Sequence, residues 1–531
     1  MIGVRLTVMS TVLTSIIVAL AAVTVSLAGG VQEMDAYHRA VLCVLVLWAL
    51  LSLVTVRGNT AREWIARRHR SHNPLRSALL VDAKGRGMVW DGYHASMFIE
   101  VTPDQWNISR IRLNGEATVG RIPIPDLRRE LRQFDITVDR IRIVEYGYKI
   151  IRPDKASSSM LGAMGTVGHL LGGRVIIEVG VALSNNLNAV HSRQKDRDTV
   201  ADGITRVVSI ATDRVARTLH THNISAKVLS PTALAAVHRD VFASVEGAIQ
   251  HPKWTHTGFP GDATHGTTVS FSPAPTAWNA RSQLQWDEVL SHRQYNCLEL
   301  RPDRTTRDHV DYATTYLTDD PSLLQLLPSQ GLVRENGRHM ARVSNVLPLA
   351  KDAFRTHTGR LLSVGEEVGV DIPIHPLGVF AGTTKSREKV FLAITRGDTP
   401  LWVCGDEEYA RRLVFRLSTQ RHRIGVSVPD KTWDRLISLR RSERLKRVDD
   451  PSRAAYNNDV LVCTPEQEMT MELSKDGPAV IVVSPERPRV TKDAVIHRDG
   501  DNLVLQVGKD TETLVVDNPP TERPWVNIDR R

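Results

Sequence analysis

Two uncharged apolar runs in the first sixty residues constrain this chain more than any other feature. The first extends from Leu6 to Ala28 and the second from Ala40 to Val56, and neither contains Asp, Glu, Lys or Arg. About 20 such residues at ~1.5 Å rise cross a hydrocarbon core of roughly 30 Å. Backbone amides in lipid must be satisfied within their own segment, so both runs are expected to be helices, spanning about 6–28 and 40–56. The link from Val31 to Arg39 is long enough only for a turn, giving an expected two-helix transmembrane hairpin over residues 1–57. Ser26-Leu27-Ala28 also fits a signal-peptide cleavage site, but the apolar stretch exceeds the usual ~7 to 15 residues and only Arg5 precedes it.

The flanks set the expected orientation, because Lys and Arg are retained on the cytoplasmic side during insertion. The link carries Glu33, Asp35 and Arg39, whereas Arg57, Arg62, Arg67, Arg68, Arg70 and Arg76 follow the second run. Both termini and the large remainder are therefore expected in the cytoplasm of an inner-membrane protein. Residues 58–76 form a basic juxtamembrane linker facing anionic headgroups, with Trp64 near them and Pro74 ending any helical extension.

A formal charge of +9 invites a nucleic-acid reading, but part of it belongs to those arginines. The other basic run, Arg440, Arg441, Arg444, Lys446 and Arg447, lacks interleaved aromatics on which bases would stack, and reads as a solvated helix face. Nucleic acid is not expected as a partner. Cys43 lies in the second run, and Cys297, Cys404 and Cys463 are isolated, which excludes a disulfide framework or a paired-cysteine metal knuckle.

Beyond the basic linker, the pattern divides into a first cytoplasmic α/β domain over 77–247, a linker over 248–266, a second α/β domain over 267–517 and a tail over 518–531. From Leu79 to Thr102, two apolar stretches flank a turn-rich segment containing Asp91-Gly92, the signature of an antiparallel meander. A helix is expected over 122–134, with Leu127, Leu131 and Phe134 on one face, and then a strand over 138–145. Arg174 to Ala182 reads as a strand. Val200, Ile204, Val207, Val208, Ala211, Val215 and Leu219 define one buried helical stripe, followed by a strand over 224–229 and a helix over 231–245. The stretch 267–356 carries no clear period. Strands at 390–395, 401–404 and 423–428 around a helix over 407–419 read as a βαβ crossover in a doubly wound sheet, with later strands at 460–463, 479–483, 503–507 and 513–516.

No catalytic set emerges, and no catalytic, cofactor or metal residue is assigned. Glycines 162, 165, 168, 172 and 173 match neither a P-loop nor a dinucleotide fingerprint, so the stretch 157–173 reads as a flexible loop. At Gly405-Asp406-Glu407-Glu408 a phosphate would meet three carboxylates, whereas those acids suit a helix start. His220 and His222 do not share a helix face, and Asp319-Asp320 before Pro321 reads as a turn before it reads as a transferase metal motif.

In the order of its pieces the chain resembles the EccE component of the type VII (ESX) secretion apparatus. The pieces are the hairpin with its arginine-rich exit, GRGMVWDGYHASMFIEV, PDLRRELRQFDITVDRIRI, the NNLNAV stretch with its long helix, and LWVCGDEEYARRLVFRLSTQRHRIGVSV leading to Lys431-Thr432-Trp433. That resemblance implies a non-enzymatic membrane subunit, without cofactors, assembling with EccB, EccC and EccD, with ATPase activity residing in EccC. The α/β pattern leaves a second reading open, a membrane-anchored enzyme of the sugar-nucleotide transferase or nucleotide-binding type.

Overall fold

The computed structural model describes residues 2–4, 8–27, 35–56, 59–60, 78–149, 154–165, 167–195, 199–250, 257–258, 267–303, 306–348, 359–420, 422–455, 457–488, 493–516 and 518–526. The basic linker, with its arginines, Trp64 and Pro74, lies outside them apart from Asn59 and Thr60. So do most of the expected 248–266 linker and the last five residues.

The N-terminal expectation is corrected. Helices occupy Val8–Leu27 and Ala36–Leu53, but the second run does not stay helical to Val56. Val54–Val56 is a strand, paired antiparallel with Ile2–Val4 on one side and with Asn59–Thr60 on the other. The uncharged part of the second helix, from Ala40 to Leu53, is therefore only ~21 Å long at ~1.5 Å per residue, against the roughly 30 Å of a hydrocarbon core. The first helix carries hydroxyls at Ser10, Thr11, Thr14, Ser15, Thr24 and Ser26. Among the described residues no helix is long and apolar enough to cross a membrane. This overturns the expected transmembrane hairpin, and with it the two-helix inner-membrane location.

The expected fold class is also corrected in its sheets, most of which are antiparallel. A twelve-stranded sheet takes in nearly every strand from Ala78–Val81 to Arg360–Leu362, and its pairings are all antiparallel. Short turns dictate this for strands that follow one another, such as Ala78–Val81, Gly87–Trp90 and His94–Val101, because parallel pairs need a crossover of about a dozen residues or more. Gly85 and Gly92, both at positive φ, turn the chain between Ala78–Val81, Gly87–Trp90 and His94–Val101. The sheet runs across the 248–266 segment, since Arg140–Tyr148 pairs directly with Arg293–Pro302.

Both faces of this sheet are covered. On one, the stripe Ile204, Val207, Val208, Ala211, Val215 and Leu219 of helix Val200–Thr221 packs against Ile99, Ile141, Ile143, Ile177 and Val179. Thr199 and Asp202 close that helix with a reciprocal capping box. On the other face, helices Pro231–Gln250 and His339–Asn345 cover Phe98, Val144, Tyr146, Ile176 and Cys297.

Along the same second face runs a seam of buried ion pairs. Glu178, Arg142, Glu299 and Asp311 stand directly opposite one another on four successive strands. Arg142 reaches Glu178 at 2.8 Å and Glu299 at 2.6 Å, and Arg140 reaches Glu178 at 2.6 Å. Arg342, from the covering helix, continues the seam to Asp311 and Glu335. Burial alone would raise Glu299, but the Arg142 and Arg301 guanidiniums hold its carboxyl down at about 2.

An eight-stranded sheet forms the second layer system. Its order is Leu445–Arg447, Ile424–Val426, Val460–Cys463, Ala479–Ser484, Leu401–Cys404, Ala494–Asp499, Asn502–Val507, Asp510–Val515. The first six are parallel and the last two antiparallel. Leu401–Cys404, helix Glu407–Ser418 and Ile424–Val426 follow in strand, helix, strand order, but two other strands lie between the pair. A small sheet of Ile108–Ile111, Val379–Thr383 and Lys389–Leu392 joins the two systems, and Trp106 Nε1 donates to the Thr399 carbonyl at 2.7 Å.

Three local expectations differ. The helix at 122–134 is only Ile124–Arg129, and Phe134, at φ 49°, is 99% exposed beneath the Arg214 guanidinium. The glycine-bearing stretch contains helix Lys155–Met164, whose first turn is capped by the Asp154 carboxylate and whose Met160 and Met164 are buried. The expected extended tail is anchored over 518–526, where buried Glu522 accepts from Arg416 at 2.8 and 2.9 Å and Trp525 stacks on Phe415.

Candidate functional site

The first face of the antiparallel sheet changes character at one end of its strands. Ile141, Ile143 and Glu145 share that face by strand alternation, so Glu145 enters the interior where a third apolar residue would fit the pattern. Directly across from it stands Asn296, and beyond that Thr314. Asn296 Nδ2 donates to Glu145 Oε2 at 2.8 Å, and Gln294 Nε2 lies 3.1 Å from Asn296 Oδ1 and 3.0 Å from Asp287 Oδ1. A relay of two amides thus links two carboxyl groups.

These groups border a small cleft, open to solvent at its mouth, with interior room for about one water and lined by Glu145, Asp287, Asn296, His169, His375 and Arg121 among others. Ala117, Val119, Leu170 and Leu377 form its apolar walls. The glycines shape one side. A Cβ on Gly168 would lie 2.8 Å from Glu288 Cα, and one on Gly172 would lie 2.2 Å from the Tyr148 hydroxyl. Glycine at 168 and 172 lets the 167–171 loop approach the strand ends and deliver His169.

Burial lifts the Glu145 carboxyl to about 7, and the neighbouring Asp287 adds to the rise against the opposing pull of Asn296, Arg121 and Lys149. Burial likewise lowers Lys149, to about 8, although its ammonium donates to the Asp287 and Val289 carbonyls. His169 and His375 are both held below the ordinary histidine value, by burial first. His169 Nε2 sits 3.1 Å from the Gly115 carbonyl and His375 Nδ1 sits 2.6 Å from the Pro376 carbonyl, so each of those nitrogens carries the proton. The remaining nitrogen of each neutral ring is an acceptor. Perturbed titrating groups gathered in one concave site mark it as the candidate.

Other features weighed from the sequence are satisfied within the fold. Asp406 caps Glu407–Ser418 by accepting from the Tyr409 amide at 2.8 Å, Glu408 pairs with Arg412, and Glu407 accepts from Trp433 Nε1. Asp320 caps a short turn and Asp319 meets His292 at 2.8 Å. His222 pairs with Asp126 at the surface. Burial raises the Cys404 thiol to about 11 and the Cys463 thiol to about 12, which removes them as nucleophiles. Among the described residues no group of three His, Cys, Asp or Glu could hold a metal ion.

None of the cleft residues is assigned from the sequence alone. Glu145 was signalled by its place in an inward-facing isoleucine row. Asn296, Gln294 and Asp287 lie in the stretch without a clear period, and His169 sits among glycines read as a loop.

Residues 176–269 match the family described as "Putative type VII ESX secretion system translocon, EccE". The matched family is EccE. The EccE match covers most of strand Gly172–Ala182, helices Val200–Thr221 and Pro231–Gln250, and Glu178 of the ion-pair seam. It supports a role in type VII secretion, in association with other components of that apparatus. The cleft residues lie outside the EccE-matched segment. No curated protein matches the chain.

Proposed function

We propose that this chain is a non-catalytic assembly subunit of a type VII secretion core complex, docking through its folded part against EccB, EccC and EccD and leaving ATP hydrolysis to EccC. The observation that carries the proposal is the EccE match over 176–269, which falls on most of strand Gly172–Ala182 of the antiparallel sheet and on the two long helices that cover its faces. A large structure tied together by buried ion pairs suits a rigid docking body. Co-expression with EccB, EccC and EccD, followed by gentle isolation on a tag carried by this chain, is expected to recover all four in one species. Recovery of this chain alone, under conditions where the other three remain together, would contradict it.

The parallel sheet favours the second reading, a sugar-nucleotide transferase or other nucleotide-binding enzyme, because ligands in such sheets bind beyond the carboxyl ends of the strands. Against it, the helix start after Cys404 is occupied by its own carboxylates. Nucleotides and sugar nucleotides are expected to leave the thermal midpoint unmoved, whereas saturable stabilisation would favour the enzyme.

A further inference from the structure

The tip of one hairpin departs from the usual chemistry of turns. Arg132–Gln133 pairs antiparallel with Ile136–Thr137, which leaves Phe134 and Asp135 as the two turn residues. Hairpin turns that need positive φ favour Gly, Asn or Asp, yet Phe134 sits there at φ 49° with its ring 99% exposed. A bulky side chain at positive φ is an outlier, and a ring left in water gains nothing within the fold to offset the strain. The two legs hold it out. Gln133 is buried, with its Nε2 3.3 Å from the Ala211 carbonyl, and the Asn186 side chain bonds both the amide and the carbonyl of Thr137, at 2.8 and 2.9 Å. Arg193 clamps the Asp135 carboxylate with bonds of 2.6 and 3.1 Å, and Asp126 is taken by Arg129 and His222. Over the ring itself stands Arg214, its guanidinium 5.2 Å from the Phe134 centroid, with exposed Arg217 about one turn further along helix Val200–Thr221.

We propose that the Phe134 tip is an anchor for another subunit of the secretion complex, entering an apolar pocket of that subunit whose rim carries carboxylates. A rigid aromatic beside an arginine has the composition of an interface hot spot, and a ring already held in position loses little freedom on docking. Arg214, and Arg217 beyond it, suit acidic groups around the mouth of such a pocket. An anionic membrane surface fits less well, because the Asp135 carboxylate stands beside the ring at the tip and meets headgroups of its own sign. The inference rests on the assembly-subunit reading. The EccE-matched segment supplies Asn186, Arg193, Arg214 and Arg217, which position and flank the tip, while Phe134 itself precedes that segment.

Two measurements on the full chain test the anchor. The first is its binding to the EccB, EccC and EccD species isolated without it. Phe134→Ser is expected to weaken that binding about thirtyfold, as loss of a hot spot would, Phe134→Leu by less than about fivefold, and Arg214→Glu by about tenfold. Thermal unfolding of Phe134→Ser is expected to match that of the unchanged chain, because the ring is in water. The second measurement places photoreactive benzoylphenylalanine at position 134 of the assembled complex. Crosslinks are expected on a peptide of EccB, EccC or EccD that carries Asp or Glu. Binding of Phe134→Ser as tight as that of the unchanged chain, tighter binding of Arg214→Glu, no crosslink, or crosslinks only to a second copy of this chain would overturn the proposal. So would assembly that survives Phe134→Ser while flotation with vesicles of equal parts phosphatidylglycerol and phosphatidylcholine is lost, which assigns the tip to lipid. Failure of the unchanged chain to bind removes the subunit reading and this inference with it, whereas binding that is indifferent to position 134 removes this inference alone.

Discussion

In the antiparallel sheet, strand Arg140–Tyr148 buries Arg140, Arg142 and Glu145 between its isoleucines, whereas in the parallel sheet Val460–Cys463 and Ala479–Ser484 bury Val, Leu, Ile, Ala, Cys and one Ser. The parallel-sheet layer holds its buried charge on the helices, where Asp406 and Asp430 cap backbone amides and Arg416 pairs with Glu522. The antiparallel sheet carries charge through its interior in two arrangements. In the seam every carboxylate has a guanidinium, and the desolvation cost is offset by pairing. At the cleft, Glu145 has an amide and a like-charged neighbour, and the cost appears as a raised carboxyl. The lesson is that pairing with a guanidinium, more than burial as such, decides whether a buried carboxyl is held low or lifted.

That contrast breaks most visibly at Arg142. Arg142→Met leaves Glu178 and Glu299 buried with one guanidinium fewer, and is expected to cost ~3–5 kcal/mol in chemical denaturation. If the loss is under ~1 kcal/mol, the seam is not holding the sheet. Glu522→Ala leaves buried Arg416, on helix Glu407–Ser418, without its carboxylate and is expected to cost about 3 kcal/mol, with faster amide exchange in 518–526.

A smaller effect of opposite sign is expected at the cleft. Glu145 has a folded value near 7 against an ordinary 4.5. Its contribution to stability is therefore fully present below about 4.5 and lost as pH rises through about 7. Glu145→Gln should raise stability by ~1–3 kcal/mol at pH 8 and flatten the fall between those two values, checked by denaturant midpoints across pH. Asp406→Ala, which removes a cap from the parallel sheet, is expected to cost ~1 kcal/mol. Phe134→Ser, at a site fully in water, should stay within ~0.5 kcal/mol by the same measurement.

Legibility in the sequence followed the same division. Helix Val200–Thr221 could be read because six of its stripe residues are apolar and buried on one face, although Val200 is exposed. Strands Arg293–Pro302 and Asp308–Thr318 could not, because both of their faces are covered and their polar residues serve the seam and the cleft, which erases the alternation. Glu522 looked like tail sequence because its partner Arg416 lies 106 residues earlier. The N-terminal runs misled differently. Composition fixed their apolarity but not where helix gives way to the strand Val54–Val56, whose partner is the chain start. Glu145 was the cleft residue most open to recognition, since its position in the isoleucine row is a property of spacing alone.

The central observation is the buried Glu145 carboxyl beside Asp287, and its titration can be followed directly. With carbon-13 carboxyl-labelled glutamate in the full chain, the resonance that disappears in Glu145→Gln is expected to titrate with a midpoint near 7. A midpoint at the ordinary carboxylate value of 4.5 would contradict the burial of this carboxyl beside Asp287.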